Sequence, residues 1–406
     1  MFPFDDVKTE SKQIGVGCLQ ISPLARQYID EVLDANRLSI GPFVHRFEHD
    51  FAHSHGCRYG VMVNSGTSAL QIALAALKEK HGWQDGDEVI VPAITFIATS
   101  NIVIYNQLTP VFVDVDQFTY NIDPEAIERA ITPKTRAIIP VHLFGLPCDM
   151  EPIMDIARGH NLAVLEDSCE TMFATYRGKS VGSFGDAACF STYVAHILVT
   201  GVGGLVTCND AELATMCRSY LAHGRDEIYL DIDADKQSDN DLRSIIERRF
   251  SFVRLGHSFR PTELEGALGL AQLQEHEENI NRRRKNAAYL TKQLTPLIAK
   301  IQLPVIPYER EHSFMMFPVT VYKKGERDKL CLYLEEHGIE TRYAFPLITQ
   351  PVYKKIFNLN SEDFPIAKSI GENTFYIGCH PELERADLDY IVEQFYGFYG
   401  KEHEKK

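Results

Sequence analysis

From about residue 58 to residue 210, short apolar segments alternate with helical ones. This alternation limits the fold more than any single residue does. Residues 59–64 form a short apolar run. Residues 68–80 then carry Leu70, Ile72, Ala73, Leu74 and Leu77 at helical spacing. Further apolar runs cover 88–91, 111–115, 137–141, 163–166 and 187–190. Strands that are apolar on both faces need cover on both faces. Separated by helices, they predict a mostly parallel α/β sheet flanked by helices. Ligands of such sheets sit at the carboxyl ends of the strands, so the polar residues just after each run are the site candidates.

A chain of 406 residues exceeds one small core. The pattern predicts a large domain over 1–275, including an N-terminal arm, and a smaller C-terminal α/β domain over 276–406. Residues 262–293 read as one long helix leading from the first into the second. The C-terminal part mixes a strand at 316–321 with helices at 327–337 and 385–398. The polar, acidic stretch 226–240 reads as a surface excursion.

The formal net charge is −15, and no stripe of Lys and Arg occurs, which argues against a nucleic-acid footprint. The basic cluster at 282–285 lies among Glu and Asn and reads as a solvated helix face. No apolar run reaches the roughly 18 residues of a membrane span. The N-terminus has no basic segment followed by an apolar one, so no secretory signal is expected. The nine cysteines are scattered without a CxxC pair, which predicts reduced thiols, a cytoplasmic location and no metal site.

Four segments carry candidate chemistry. Asn64-Ser65-Gly66-Thr67-Ser68 stands at a strand-to-helix junction, where free N–H groups bind phosphate. The same residues also make an ordinary N-cap. Glu166-Asp167-Ser168-Cys169-Glu170 follows a buried strand. A carboxylate there suits a protonated ring nitrogen, or braces a loop. Phe96 follows another strand and either stacks on a flat ring or fills the core. Ser191 through His196 leads to a turn containing Gly201, Gly203 and Gly204.

Each segment is weak alone, but their order and spacing are specific. From about Leu38 to Phe395 the chain resembles the DegT/DnrJ/EryC1/StrS family of sugar aminotransferases, which have the fold type I architecture of pyridoxal-phosphate-dependent transferases. The matched motifs include Ser39-Ile40-Gly41-Pro42, the Ser65-Gly66-Thr67 turn, Glu166-Asp167, Arg177-Gly178-Lys179 and Gly185-Asp186. Gly256-His257-Ser258-Phe259-Arg260, Gln350-Pro351-Val352-Tyr353 and His380-Pro381 continue the match. The resemblance implies that Gly66, Thr67, Ser68 and Ser191 hold the cofactor phosphate. It implies that Phe96 stacks on the ring and Asp167 pairs with the ring nitrogen. Glu170 stands near the ring hydroxyl, where the family usually has Gln or His. Ser258 and Arg260 would reach in from a second subunit of a homodimer with shared sites.

The main departure is His196. Family aminotransferases carry lysine five positions after the serine matched by Ser191, and that lysine binds the cofactor covalently. An imidazole cannot tether it, so the resemblance implies non-covalent pyridoxal or pyridoxamine 5′-phosphate. A histidine with an ordinary pKa near 6.5 still suits proton transfer. The same exchange marks the sugar 3-dehydratase branch, which deoxygenates 4-keto nucleotide sugars. The region 223–249 holds no cysteine, so the branch form without an iron–sulfur cluster matches, with glutamate as the amine donor. Val202 replaces a usual acidic residue and Ser258 a usual Asn. A sugar aminotransferase and a catalytically silent paralogue are the alternatives.

Overall fold

A computed structural model describes residues 13–226, 243, 246–248 and 250–400. Most of the expected excursion at 226–240 lies outside the described residues.

The helices are α1 (Pro23–Asp34), α2 (Pro42–Ser54), α3 (Gly66–His81), α4 (Ala98–Tyr105), α5 (Pro124–Ala130), α6 (Met150–His160) and α7 (Ala211–Leu221). They continue with α8 (Glu263–Gln274), α9 (His276–Leu294), α10 (Arg327–Glu336), α11 (Pro351–Phe357), α12 (Pro365–Asn373) and α13 (Arg385–Phe398). The strands of the central sheet are β1 (Tyr59–Val63), β2 (Glu88–Pro92), β3 (Thr109–Val113), β4 (Thr135–Ile138), β5 (Ala163–Asp167), β8 (Ala187–Ser191) and β9 (Gly204–Cys208). A short hairpin of β6 (Thr175–Tyr176) and β7 (Lys179–Ser180) stands apart from it.

The central sheet runs β1-β9-β8-β5-β4-β2-β3. Strands β3, β2, β4, β5 and β8 are mutually parallel, and β9 lies antiparallel between β8 and β1. This is the mostly parallel α/β sheet that the alternation predicts. Strand β9 was not in the predicted series. Its Gly-Leu-Val-Thr-Cys run is buried throughout and reads like its neighbours, and nothing in it encodes direction.

Helix α3 covers the sheet. Ser65 caps its N-terminus by accepting from the Ser68 N–H, and Gly82 closes it at φ +65°. Lys78, Lys80 and His81 in the last turn complement the carbonyl end of the helix. A second, wholly antiparallel sheet contains β10 (Ile301–Gln302), β11 (Met316–Val321), β13 (Thr374–Gly378) and β12 (Thr341–Tyr343), in that order. Helices α9, α10 and α13 pack on it around Leu290, Leu330, Leu334, Ile391 and Phe395. Ile14, far away in sequence, pairs with Ile339 and joins that core.

Two sequence expectations are corrected here. The single helix at 262–293 is two helices, broken at Glu275 (φ −106°, ψ 4°). The Glu275 N–H closes back to Gln272, and the His276 ring donates to the Leu273 carbonyl at 2.6 Å, which ends α8 without proline or glycine. The basic cluster is not uniformly solvated either. Arg283 is 2% exposed, because its guanidinium is satisfied by Asn279 and by the carbonyls of Phe314 and Met315.

Candidate active site

At the carboxyl ends of the parallel strands lies a cleft of about 750 Å³. Seven of the sequence candidates line it: Gly66, Thr67, Phe96, Asp167, Glu170, Ser191 and His196. They come from four separate strand-end loops, which the sheet order brings side by side.

The N-terminus of α3 opens onto the cleft at Gly66. A Cβ on Gly66 would sit 2.7 Å from the Ser191 Cβ and 2.9 Å from the Cys169 sulfur, so only glycine fits. Gly204 packs just as tightly from the other side, where a Cβ would meet the Ser65–Gly66 backbone at 2.6 Å. The result is a narrow cradle of helix-end N–H groups beside the Ser191 hydroxyl, suited to an anion. Ser68 departs from its expected role. Its hydroxyl donates to Asn64 Oδ1 at 2.7 Å and lies 2.9 Å from the Ser65 hydroxyl, so it braces the cap and does not line the cleft.

Asp167 ends β5 and is 4% exposed. Its carboxylate accepts from the Thr99 hydroxyl (2.7 Å) and the Cys169 N–H (3.1 Å). Among the described residues no Lys or Arg pairs with it. Burial therefore pushes its pKa up. A protonated ring nitrogen would relieve that cost. Phe96 stands over the cleft, 56% exposed, with its ring edge-on to Phe345 at 6.2 Å. Burial raises Glu170 to about 7, against the Phe144 N–H that it accepts at 2.8 Å. In its protonated form Glu170 can donate to a ligand oxygen.

The neighbouring Glu166 has a different role. It is fully buried and accepts from the N–H groups of Gly182 (2.8 Å), Phe184 (2.7 Å) and Gly185 (2.8 Å). His142 Nε2 donates to it at 3.1 Å, while His142 Nδ1 accepts the Cys148 N–H, so that imidazole is a single-proton tautomer. Glu166 holds the loop before β8 and faces away from chemistry.

His196 lies in the loop after β8, partly exposed in the cleft. Its Nδ1 is 3.3 Å from the Tyr193 carbonyl, which can only accept, so the proton sits on Nδ1 and the lone pair on Nε2. Burial, helped by the Arg283 charge, lowers its pKa to about 4. The imidazole is therefore neutral at physiological pH. No lysine of the described residues lines the cleft.

Sequence reasoning missed the opposite wall. Glu340, Arg342 and Tyr376 from the small sheet, and Val16 and Gly17 from the N-terminal arm, also line the cleft. They belong to no local motif, and only tertiary packing assembles them. Glu340 accepts the Val16 N–H at 2.7 Å and pairs with Arg342. Ser258 and Arg260 do not line this cleft; Arg260 bonds to Ser258 and His223.

Helix-end N–H groups beside the Ser191 hydroxyl, a buried Asp167 carboxylate with no Lys or Arg partner among the described residues and an exposed aromatic ring, at the strand ends of a parallel sheet, suit a flat, phosphorylated, basic heterocycle. The comparisons agree. The chain belongs to the DegT/DnrJ/EryC1/StrS aminotransferase family, which it matches over residues 20–396. It is 36% identical to GDP-perosamine synthase of Caulobacter vibrioides over 384 residues, covering 94% of this chain and 96% of that one. It superposes on the E. coli GDP-4-keto-6-deoxy-D-mannose-3-dehydratase with bound hydrated PLP at TM-score 0.85 and 30% identity, covering 94% and 98% of the two chains. A GDP-4-keto-6-deoxymannose-3-dehydratase structure with a trapped PLP-glutamate geminal diamine matches at TM-score 0.84 and 30% identity, with 94% and 99% covered.

Proposed function

We propose that this chain is a lysine-free, B6-dependent 3-dehydratase of a 4-keto-6-deoxy nucleotide sugar. The observation that carries the proposal is His196, a neutral imidazole in a cleft that no described lysine lines. The likeness to a 3-dehydratase of known structure supports it.

The residues fit the cofactor. The N–H groups at Gly66 and Thr67 and the Ser191 hydroxyl would hold its phosphate, Phe96 would cover its ring, and Asp167 would keep the ring nitrogen protonated. Glu170 would donate to the ring oxygen. Bound there without a covalent tether, pyridoxamine 5′-phosphate supplies a primary amine and an electron sink.

The chain's own work is proton movement and positioning. With Nδ1–H held by the Tyr193 carbonyl, Nε2 of His196 accepts a proton from the carbon next to the amine. It can then return that proton to the leaving 3-hydroxyl. The low pKa keeps the lone pair available over the physiological range, and an anionic phosphate bound in the cleft would raise its basicity toward neutrality. The cleft lining carries Arg342 as its only Lys or Arg among the described residues, against the carboxylates of Asp167, Glu170 and Glu340. A nucleotide diphosphate needs more positive charge than that. This supports a homodimer in which Ser258 and Arg260 of a second copy complete the site. Glutamate is the amine donor that regenerates the cofactor.

Sugar amination is the second reading, favoured by the 36% identity to GDP-perosamine synthase. Product analysis separates the two. The protein is incubated with pyridoxamine 5′-phosphate, glutamate and a panel of 4-keto-6-deoxy nucleotide sugars. Loss of the 3-hydroxyl with release of 2-oxoglutarate supports dehydration. A 4-amino sugar supports amination, and cofactor binding without turnover on any sugar supports a silent paralogue.

A further inference from the structure

Among the described residues, no carboxylate pairs with the buried guanidinium of Arg283. Its Nε donates to Asn279 Oδ1 at 2.8 Å. One terminal nitrogen donates to the carbonyls of Met315 (3.0 Å) and Phe314 (3.3 Å), and the other reaches the His196 carbonyl at 3.5 Å. A lone buried cation is expensive, and burial lowers its pKa. The fold pays that cost at the one point where α9, the small-sheet wall of the cleft and the His196 loop meet.

Arg283 does not act alone. Asn279, one helical turn earlier, donates to the Ile197 carbonyl at 3.1 Å. Gln272, across the break at Glu275, accepts the Val199 N–H at 2.9 Å and donates back to the Val199 carbonyl. Three side chains on two helices thus hold four backbone groups of three loop residues, His196, Ile197 and Val199.

We propose that Gln272, Asn279 and Arg283 form a positioning ladder that fixes the His196 loop, with Arg283 locking that loop to the Phe314–Met315 wall of the cleft. The inference deepens the reading of His196 as a base and rests on it. Among the described residues, Arg283 is also the charged group that bears on the His196 imidazole, beside the Tyr193 carbonyl and, 6.2 Å away, the Tyr193 ring. Burial does most to keep the imidazole neutral and the Arg283 charge adds to it, so the ladder fixes the location of the base and contributes to its protonation state.

The test uses the full-length chain with Arg283→Met, Arg283→Lys and the milder Asn279→Ala, each checked for folding by circular dichroism. Hydrogen–deuterium exchange of a peptide spanning 194–200, without ligand, reads the loop directly. The ladder predicts at least tenfold faster exchange there in Arg283→Met and Asn279→Ala, with α3 and β5 unchanged. NMR of the His196 ring, assigned by its loss in His196→Asn, should titrate at higher pH in Arg283→Met and stay near the wild-type value in Arg283→Lys. With substrate, kcat should fall roughly 10- to 100-fold, with KM for the nucleotide sugar within about twofold. Unchanged loop exchange and His196 titration in a folded Arg283→Met overturn the ladder. If His196→Asn keeps full turnover, the base reading fails instead, and the exchange result still decides the ladder.

Discussion

Glu166 and Asp167 are adjacent carboxylates that point into different chemistry, and isosteric amides should separate them. In Glu166→Gln, the amide NH₂ must replace one oxygen. Oε1 accepts from Phe184 and Gly185, and Oε2 from Gly182 and His142, so either orientation sets an NH₂ against two donors. Each lost charge-assisted bond costs about 1.5–3 kcal/mol. The substitution should therefore destabilise by about 3–6 kcal/mol. At about 2–4 °C per kcal/mol for a domain of 150–250 residues, the unfolding midpoint should drop by roughly 6–24 °C. In Asp167→Asn, the oxygen can keep the Cys169 N–H, and the NH₂ can donate to the Thr99 hydroxyl, which is free to turn. That change removes a buried charge and should leave the midpoint nearly unmoved. It should instead weaken pyridoxamine phosphate binding about 10- to 150-fold, the loss of one charge-assisted contact. Scanning calorimetry without ligand and cofactor titration read the two effects. A Glu166→Gln midpoint within about 2 °C of wild type, or an Asp167→Asn protein that binds cofactor normally, refutes the assignment.

Gly66→Ala forces a Cβ to within 2.7 Å of Ser191, so the folded variant should lose cofactor on gel filtration while its secondary structure is retained. Glu170, raised to about 7, donates only below that pH. Cofactor Kd should therefore rise as pH increases through 7 in the wild type and stay flat in Glu170→Gln. His55, His196 and His380, lowered to about 4, and His312, lowered to about 3, are held neutral by the fold. Below about 6.5 the unfolded chain protonates these four imidazoles while the native state does not, which lowers stability on acidification. Glu170 and Asp167, both raised, oppose this, and the four imidazoles outnumber them, so stability should fall from about pH 6.5 toward 4. Denaturant midpoints measured from pH 8 to pH 4 check the sign; a rise on acidification contradicts it.

The parallel sheet was legible because strands buried on both faces carry continuous apolar runs, and the site loops follow from the rule that such sheets bind at their carboxyl ends. Gly66 and Asp167 could be picked out because they stand at the ends of readable strands, and His196 because it takes the place of the family lysine five positions after Ser191. Ser68 was misread because an N-cap and a phosphate turn share one composition, and only the Asn64 contact separates them. The helix break at Glu275 left no trace, since its cause is a side-chain bond from His276. Arg283 looked solvated because its partners are backbone carbonyls some 30 residues later, which no periodicity reveals. The wall of Glu340, Arg342 and Tyr376 was invisible for the same reason.

The decisive measurement is deuterium wash-in at the reacting methylene of pyridoxamine 5′-phosphate, followed by mass spectrometry in D₂O with a turned-over 4-keto sugar. With the imidazole as the group that moves this proton, the wild type incorporates deuterium and folded, cofactor-binding His196→Asn does so at least about 100-fold more slowly. Wash-in at the wild-type rate in His196→Asn would mean that another group does this work.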